Sequence, residues 1–588
     1  MGTLAGSAQA TFCRTVVDEW ARAGVRHAVV CPGSRSTPLA LALAADPRLH
    51  LHVHLDERSA GFLALGIGLA SGHPAVLLTT SGTAAAEVHA AVVEAHQARV
   101  PLLVCTADRP GELHHVGAPQ TVEQVGLYGG AVRFLVDVGV PDEAAAGSWR
   151  SLGARLVAES VASPLGPGPV QMNVAFRDPL DAAPGEPPPG RDDSAPWHGV
   201  LPPRRVVAEP LSGLLGAARR PLLVVGARGG SPKAVLELAA RAGWPVLADP
   251  RSGCRDHSAA AGATVVAAAD SLLRVAAFAE AHRPDLVVRL GESWASKVVS
   301  GFLGEAAAAG ARMLLADPFS EWRDPGREAG TVLRADPDEV VAALAPVPAA
   351  DPAWSSSWSA AEAAAQSAIS DFLAARVAEG ELTEPFVARR LAGAPGLSTL
   401  VVSSSMPVRD LEWYAAPAEG FPRVLANRGA NGIDGVVSTT LGVALSEAAD
   451  GRSGVVGLVG DLAFLHDLSA LLSGGAGADA PAAGLVVVDN AGGGIFSRLP
   501  QAETLPVPIF ERLFATPQAA DPLALARAAG WEASEAASPS DLEARLPALL
   551  ETVSSGRPAV LVCRTDRHRA VAVQEGLVRA VEAALPGA

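Results

Sequence analysis

Gly460-Asp461 closes the apolar run GVVGLVG, and Asp489-Asn490-Ala491-Gly492-Gly493-Gly494 closes the run GLVVVDN. An acid and an amide at the ends of two strands, one helical crossover apart, would lie side by side and offer oxygen ligands to a hard divalent cation such as Mg²⁺. The glycines would let a carbonyl and the amides of a helix start approach a diphosphate. A simpler reading is that Asp461 caps a helix and the glycines make a turn. A second acid pair, Asp56-Glu57, precedes GFLALGIGLASG, a helix apolar on nearly every face and therefore buried. A carboxylate at its mouth could hold a proton in an apolar site, or could only favour the helix N-terminus. Thr80-Ser81-Gly82-Thr83 follows AVLLTT and opens another helix, as an anion contact or a cap. Four arginines sit in similar loops: Arg35 in CPGSRSTP, Arg109 in TADRPGE, Arg409 in SSSMPVRD and Arg428 in ANRGANGIDG. Singly each reads as an ion pair. Four together point to bidentate carboxylate recognition.

The elements that position these loops are short, continuously apolar runs alternating with Ala/Leu/Glu/Arg-rich stretches. HAVVC, AVLLTT, PLLVCTA and VQMNVAF come first; PLLVVGA, WPVLAD, DLVVRLG and ARMLLAD follow; STLVVSS, PRVLAN, GVVGLVG, GLVVVDN and PAVLVCR complete the set. Such runs suit parallel strands buried on both faces and joined by helical crossovers. Proline-rich stretches at residues 181–203 and 345–353 read as linkers. The fold class expected is α/β, with three doubly wound parallel-sheet domains. Ligands of such sheets bind beyond the carboxyl ends of the strands, where the loops above lie.

Composition narrows the function. The 588 residues are 49% hydrophobic and 18% charged, with a net charge of −16 and Lys233 and Lys297 as the lysines. Broad binding to nucleic acid or an anionic membrane is not expected. The apolar runs fall short of the ~18 residues a membrane span needs, and the N-terminal MGTLAGSAQATFCRTVVDEW lacks a basic, apolar signal pattern. The five cysteines are scattered without CxxC pairing, which suggests buried, reduced thiols and a cytoplasmic protein. Gly226-Ala227-Arg228-Gly229-Gly230 lacks full GxGxxG spacing, so no flavin or NAD is expected there. His114 and His115 are adjacent rather than four apart and read as solvated loop residues.

Taken together, CPGSRSTPLALAL, DERSAGFLALGIG, TTSGTAAAE, TADRPGEL, NRGANGIDG, GDLAFLHDL and GGIFSRLP resemble, in order and spacing, the thiamine-diphosphate-dependent enzymes. Within them the chain is most similar to the transferases that join 2-oxoglutarate to isochorismate in menaquinone biosynthesis. The resemblance covers essentially the whole chain. It implies a pyrimidine-binding domain at 1–185, a central domain at 200–345 and a diphosphate-binding domain at 360–588. It also implies thiamine diphosphate with Mg²⁺ or Mn²⁺ as cofactors, and a homodimer at minimum, with a homotetramer as the family's usual assembly. Glu57 matches the glutamate that hydrogen-bonds the aminopyrimidine. Gly460, Asp461, Asn490 and the Gly492 carbonyl match the cation and diphosphate site. Ile433 matches the apolar prop beneath the cofactor, Ile495 and Phe496 the pocket wall, and Ser81 and Thr83 further cofactor contacts. Arg35, Arg109, Arg409 and Arg428, with Ser34, Gln120 and Ser405, are the positions expected to hold the carboxylates and hydroxyls of the two substrates. Asp461 is followed by Leu462 where many relatives have glycine, and Lys297 by Val298 where some have Lys-Arg. The alternatives are another thiamine-diphosphate 2-oxo-acid decarboxylase or carboligase, such as an acetolactate synthase, and a non-catalytic scaffold that keeps the cofactor fold.

Overall fold

All the apolar runs but PRVLAN, which forms an edge, fold as the inner strands of three parallel sheets of six strands each. The computed structural model describes residues 2–201, 205–207, 211, 215, 218–256, 258, 262–292, 294–344, 349–473 and 481–585. Residues 202–203 and 345–348 of the two expected linkers lie outside the described residues. The first sheet contains β1 (His27–Val30), β2 (His50–Val53), β3 (Ala75–Thr79), β4 (Leu102–Asp108), β5 (Phe134–Asp137) and β6 (Pro169–Ala175), in the order β2-β1-β3-β4-β6-β5. The second contains β7 (Pro221–Val225), β8 (Val246–Ala248), β9 (Val265–Val266), β10 (Leu286–Leu290), β11 (Arg312–Ala316) and β12 (Thr331–Leu333), ordered β12-β11-β10-β7-β8-β9. The third repeats the winding of the first: β13 (Thr399–Val402), β14 (Arg423–Leu425), β15 (Val455–Gly460), β16 (Gly484–Asp489), β17 (Glu532–Ala536) and β18 (Ala559–Arg564) are ordered β14-β13-β15-β16-β18-β17. Strands β2, β5, β9, β12 and β17 are additions to the sequence expectation.

The first proline-rich stretch lies along helix Gly2–Arg22. Gly185 N–H donates to Thr11 Oγ1 (2.7 Å), Trp197 N–H to Glu19 Oε2 (2.8 Å), and Arg150 Nε to the Pro188 carbonyl (2.7 Å). The second runs into the 27-residue helix Pro352–Ala378, whose Trp354 indole donates to the Pro221 carbonyl at the start of β7 (2.8 Å).

The first and third domains meet through two buried helices, Glu57–Ser71 and Val436–Ala449. Small residues permit the approach: a Cβ on Gly66 would overlap the Thr439 carbonyl, and one on Gly442 the Leu63 carbonyl. Backbone on both sides leaves nothing flexible to yield. Gly442→Val is therefore expected to destabilise the chain by ~3 kcal/mol or more, the upper end of overpacking costs, read as a lowered melting temperature.

Asp467 bridges the same junction, accepting from the Ser438 N–H (2.7 Å), Ser438 Oγ (3.0 Å) and Ser59 Oγ (3.1 Å). Burial nevertheless pushes its carboxyl up to about 6. The folded state thus holds a proton that the unfolded chain releases near pH 4. The stability this confers is fully present below that pH and lost as pH rises through about 6. Asp467→Asn carries no charge at any pH, and serine hydroxyls can accept from its amide. Its melting temperature relative to the parent chain is expected to rise between pH 5 and pH 8, by the equivalent of ~1.4 kcal/mol, one pKa unit's worth.

Candidate active site

β15 and β16 are neighbours, with Gly460 opposite Val488, so the residues that follow them share one sheet end. Asp461 begins the helix after β15. Its Oδ1 accepts the Leu462 N–H (2.8 Å) and its Oδ2 the Gly492 N–H (2.7 Å), which ties the two loops together. The loop after β16 turns through positive φ at Ala491 (61°) and Gly492 (131°), and the Gly493 N–H donates to the Ala515 carbonyl (2.7 Å). Asn490 Nδ2 donates to Glu384 Oε1 (2.7 Å), while Asn490 Oδ1 is buried without a partner. Burial pushes the Asp461 carboxyl up to about 7. A buried acid and an unpaired amide oxygen are what a hard cation would satisfy. Nothing lies within 4 Å of a Cβ placed on Gly460, so the strand end opens onto free space.

These groups line a cavity of about 470 Å³ together with Ser405, Arg409, Arg428, Ile433, Gly460, Ile495 and Phe496. Ser405 has φ +71°, a costly backbone for a non-glycine residue, and its carbonyl accepts from Arg409 Nη1 (2.6 Å). Arg428 Nη1 reaches Ser404 Oγ (3.4 Å). Burial, with the neighbouring Arg251 and Arg409, pushes the Arg428 guanidinium down to about 10. Burial lowers Arg409 as well. Such crowded cations are relieved by an anion.

The first-domain candidates gather in the loops after β1, β2, β3 and β4. Arg35 is 6% exposed; its Nη1 donates to the Phe176 carbonyl (2.8 Å), and burial followed by Arg109 lowers its pKa. Arg109 Nη2 reaches Gln120 Oε1 (3.4 Å). Arg35 Nε, Arg109 Nε and Ser81 Oγ are all buried without partners. Ser34 and Thr83 are exposed. Glu57 is the first residue of its helix, whose cap, Asp56, accepts the Arg58 and Ser59 N–H groups (3.0 and 3.2 Å) and Ser469 Oγ (2.6 Å). Burial raises the nearby Cys31 thiol, and Glu57 and Asp56 raise it further.

One chain therefore holds the candidate residues in two separate groups, each a candidate half-site. Glu57, Arg35, Ser81, Thr83, Arg109 and Gln120 line no part of the cavity that holds Asp461 and Asn490. Arg58 Nη2 donates to the His466 carbonyl (2.8 Å), anchoring the Glu57 helix to its own third domain. Lys297 and Arg274 line an adjoining groove that shares Arg409.

The sequence reading missed the groups that hold these loops. Glu94, 3% exposed, accepts the Gly429 and Ala430 N–H groups (2.7 and 2.6 Å) and so fixes the loop carrying Arg428 and Ile433. Gln124 Oε1 accepts the Gly82 N–H (2.9 Å), and its amide donates to Asn173 Oδ1 (3.0 Å). His114 Nε2 contacts the Arg109 carbonyl (3.1 Å), a supporting role in place of the solvated one expected. In the central domain, a Cβ on Gly226 would overlap the Glu292 carbonyl, so the crevice after β7 is closed by the chain itself.

Residues 11–127 match the family described as "Thiamine pyrophosphate enzyme, N-terminal TPP binding domain", and residues 217–398 match "Middle domain of thiamine pyrophosphate". Curated relatives named 2-succinyl-5-enolpyruvyl-6-hydroxy-3-cyclohexene-1-carboxylate synthase align along nearly the full chain. The protein of Thermobifida fusca is 43% identical over 98% of this chain and 99% of its own length. That of Halobacterium salinarum is 42% identical over 87% and 88%, and that of Myxococcus xanthus 40% over 95% and 94%. With its three parallel sheets and this degree of identity, the chain belongs to the 2-succinyl-5-enolpyruvyl-6-hydroxy-3-cyclohexene-1-carboxylate synthase family of thiamine-diphosphate enzymes.

Proposed function

We propose that the chain is a transferase that decarboxylates 2-oxoglutarate and joins the four-carbon remainder to isochorismate by 1,4-addition. The products are CO₂ and 2-succinyl-5-enolpyruvyl-6-hydroxy-3-cyclohexene-1-carboxylate, a step of menaquinone biosynthesis. The observation that carries the substrate class is the placement of four buried or half-buried arginines at the two half-sites. Arg35 and Arg109 keep unpartnered N–H groups, and Arg409 and Arg428 are crowded together. Both substrates are dicarboxylates, and forked guanidiniums would fix them near attack geometry.

Thiamine diphosphate, when bound, supplies the electron sink for decarboxylation. Asp461, the Asn490 Oδ1 and the Gly492 loop would hold Mg²⁺ or Mn²⁺ at its diphosphate, beside the open space at Gly460. Ile433, Ile495 and Phe496 would exclude water from the reacting end. Glu57 would hold or move a proton at the aminopyrimidine, with Ser81 and Thr83 beside it.

A homodimer is the smallest assembly that joins the two halves, and a homotetramer would pair such dimers. Support comes from Glu57 lining no part of the cation cavity, and from apolar side chains left exposed near the half-sites, among them Leu55 (72%), Val507 (70%) and Leu513 (63%). Among the described residues no helix is long and apolar enough to cross a membrane. We assign the chain to the cytoplasm on its scattered cysteines and its biosynthetic reaction.

The test is direct. With thiamine diphosphate, Mg²⁺ and 2-oxoglutarate, CO₂ release should be slow without isochorismate and brisk with it, and the product should have the mass of the adduct. Equal rates in both cases would overturn the acceptor assignment. Preference for pyruvate over 2-oxoglutarate would favour an acetolactate-synthase-like reaction.

A further inference from the structure

Asn490 meets a requirement that its amino-acid type alone does not meet. The two ends of a carboxamide are nearly equal in size, and only the oxygen can ligate a cation. In a cavity shared with the Asp461 carboxylate, an unrestrained amide would turn its N–H groups toward that acid. The structure shows the opposite arrangement. Nδ2 is held away by Glu384 Oε1 at 2.7 Å, and Oδ1 is left buried with no partner. Space for Nδ2 depends on Gly494, where a Cβ would lie 2.7 Å from that nitrogen.

Glu384 is itself firmly placed. It is the first residue of helix Glu384–Ala392, whose cap, Thr383, accepts the Phe386 N–H (3.4 Å). It is 5% exposed, and the Asp410 carboxyl hydrogen-bonds to it. Asp410 follows Arg409 on the neighbouring helix Met406–Tyr414, so that helix backs the carboxylate that holds the amide.

We propose that Glu384 is a positioning residue for the cation cage: by taking an N–H of the Asn490 carboxamide, it sets the amide so that Oδ1 faces the cation. This rests on the reading that Asp461 and Asn490 hold a divalent cation. Groups that orient metal ligands typically account for ~10–100-fold in metal affinity.

The experiment titrates Mg²⁺ into the full-length protein at fixed thiamine diphosphate and follows cofactor binding by calorimetry, independent of turnover. Residue 384 is varied as Glu384→Gln and Glu384→Met, with Glu384→Ala in place of Met should that chain not fold. Each is made with Asn490 and with Asn490→Asp. Gln can donate to Asp410 and still present an oxygen to Asn490, whereas Met cannot. With Asn490, the Met variant should require ~10–100-fold more Mg²⁺ than the Gln variant. In the Asn490→Asp background both ends of the side chain are oxygen, orientation ceases to matter, and Gln and Met should agree within about threefold. Equal affinities for Gln and Met with Asn490 would overturn the inference, as would a gap that persists in the Asn490→Asp background. Failure of the unaltered chain to show Mg²⁺-dependent cofactor binding would instead remove the reading of the cage itself.

Discussion

Glu57→Gln should cut turnover by ~10²–10⁴, the range a positioned proton-transfer group contributes, while leaving the fold intact. The helix that starts at Glu57 is capped by Asp56 and anchored by Arg58 and Ser59 to His466 and Asp467, none of which involves the Glu57 carboxyl. The melting temperature should therefore hold. Glutamine is nearly isosteric, so cofactor affinity should change little and the deficit should appear in kcat at saturating cofactor. A kcat within a few-fold of the parent enzyme would place the proton chemistry elsewhere, and the non-catalytic scaffold would become the better account.

Asp461→Ala should abolish Mg²⁺-dependent cofactor binding at concentrations that saturate the parent chain. The loss should exceed the ~10–100-fold that follows when only a neighbour of a ligand is removed. It takes away a carboxylate and also the acceptor for the Leu462 and Gly492 N–H groups, which releases the loop that carries Asn490. Calorimetry with thiamine diphosphate and Mg²⁺ reads the effect without any substrate. The two variants also test each other. If Glu57 of one protomer serves the cation cage of its neighbour, a hybrid dimer of the two variants contains one intact site and one doubly broken site. Mixed co-expression should then restore about a quarter of parental activity, since half of randomly paired dimers are hybrids with one working site. A mixture as inactive as its parts would show that acid and cage act within one chain.

The expected strands show what an apolar run can and cannot reveal. HAVVC, AVLLTT, PLLVCTA and GLVVVDN were legible because their strands have neighbours on both sides and helices on both faces. β2, β5, β9, β12 and β17 were not, and each is a sheet edge. HLHV and EASEA are partly exposed and carry polar residues that break up any apolar run, and β9 is only the pair Val265–Val266, too short to read as a strand. β14 is an edge as well, and it was legible only through its run PRVLAN.

The candidate site divides in the same way. Asp461, Asn490 and the four arginines could be named because their loops follow legible strands and their chemistry is explicit. Glu384 could not: Thr-Glu-Pro reads as an ordinary helix start, and its contact with Asn490 spans 106 residues. Glu94 and Gln124 lie within apolar or loop surroundings, and only the folded chain brings them to the backbone N–H groups they hold. The separation of Glu57 from the cation cavity was likewise implied by resemblance alone, since nothing in a single sequence distinguishes a contact within a chain from one between copies.

The five thiols offer a use beyond packing. Cys13, Cys31 and Cys105 lie in the first domain, Cys254 in the second and Cys563 on β18 of the third, and all are buried. A small alkylating reagent can reach each only when its own layer opens, so pulse labelling followed by peptide mass mapping would time the breathing of the three sheets separately in one unmodified molecule.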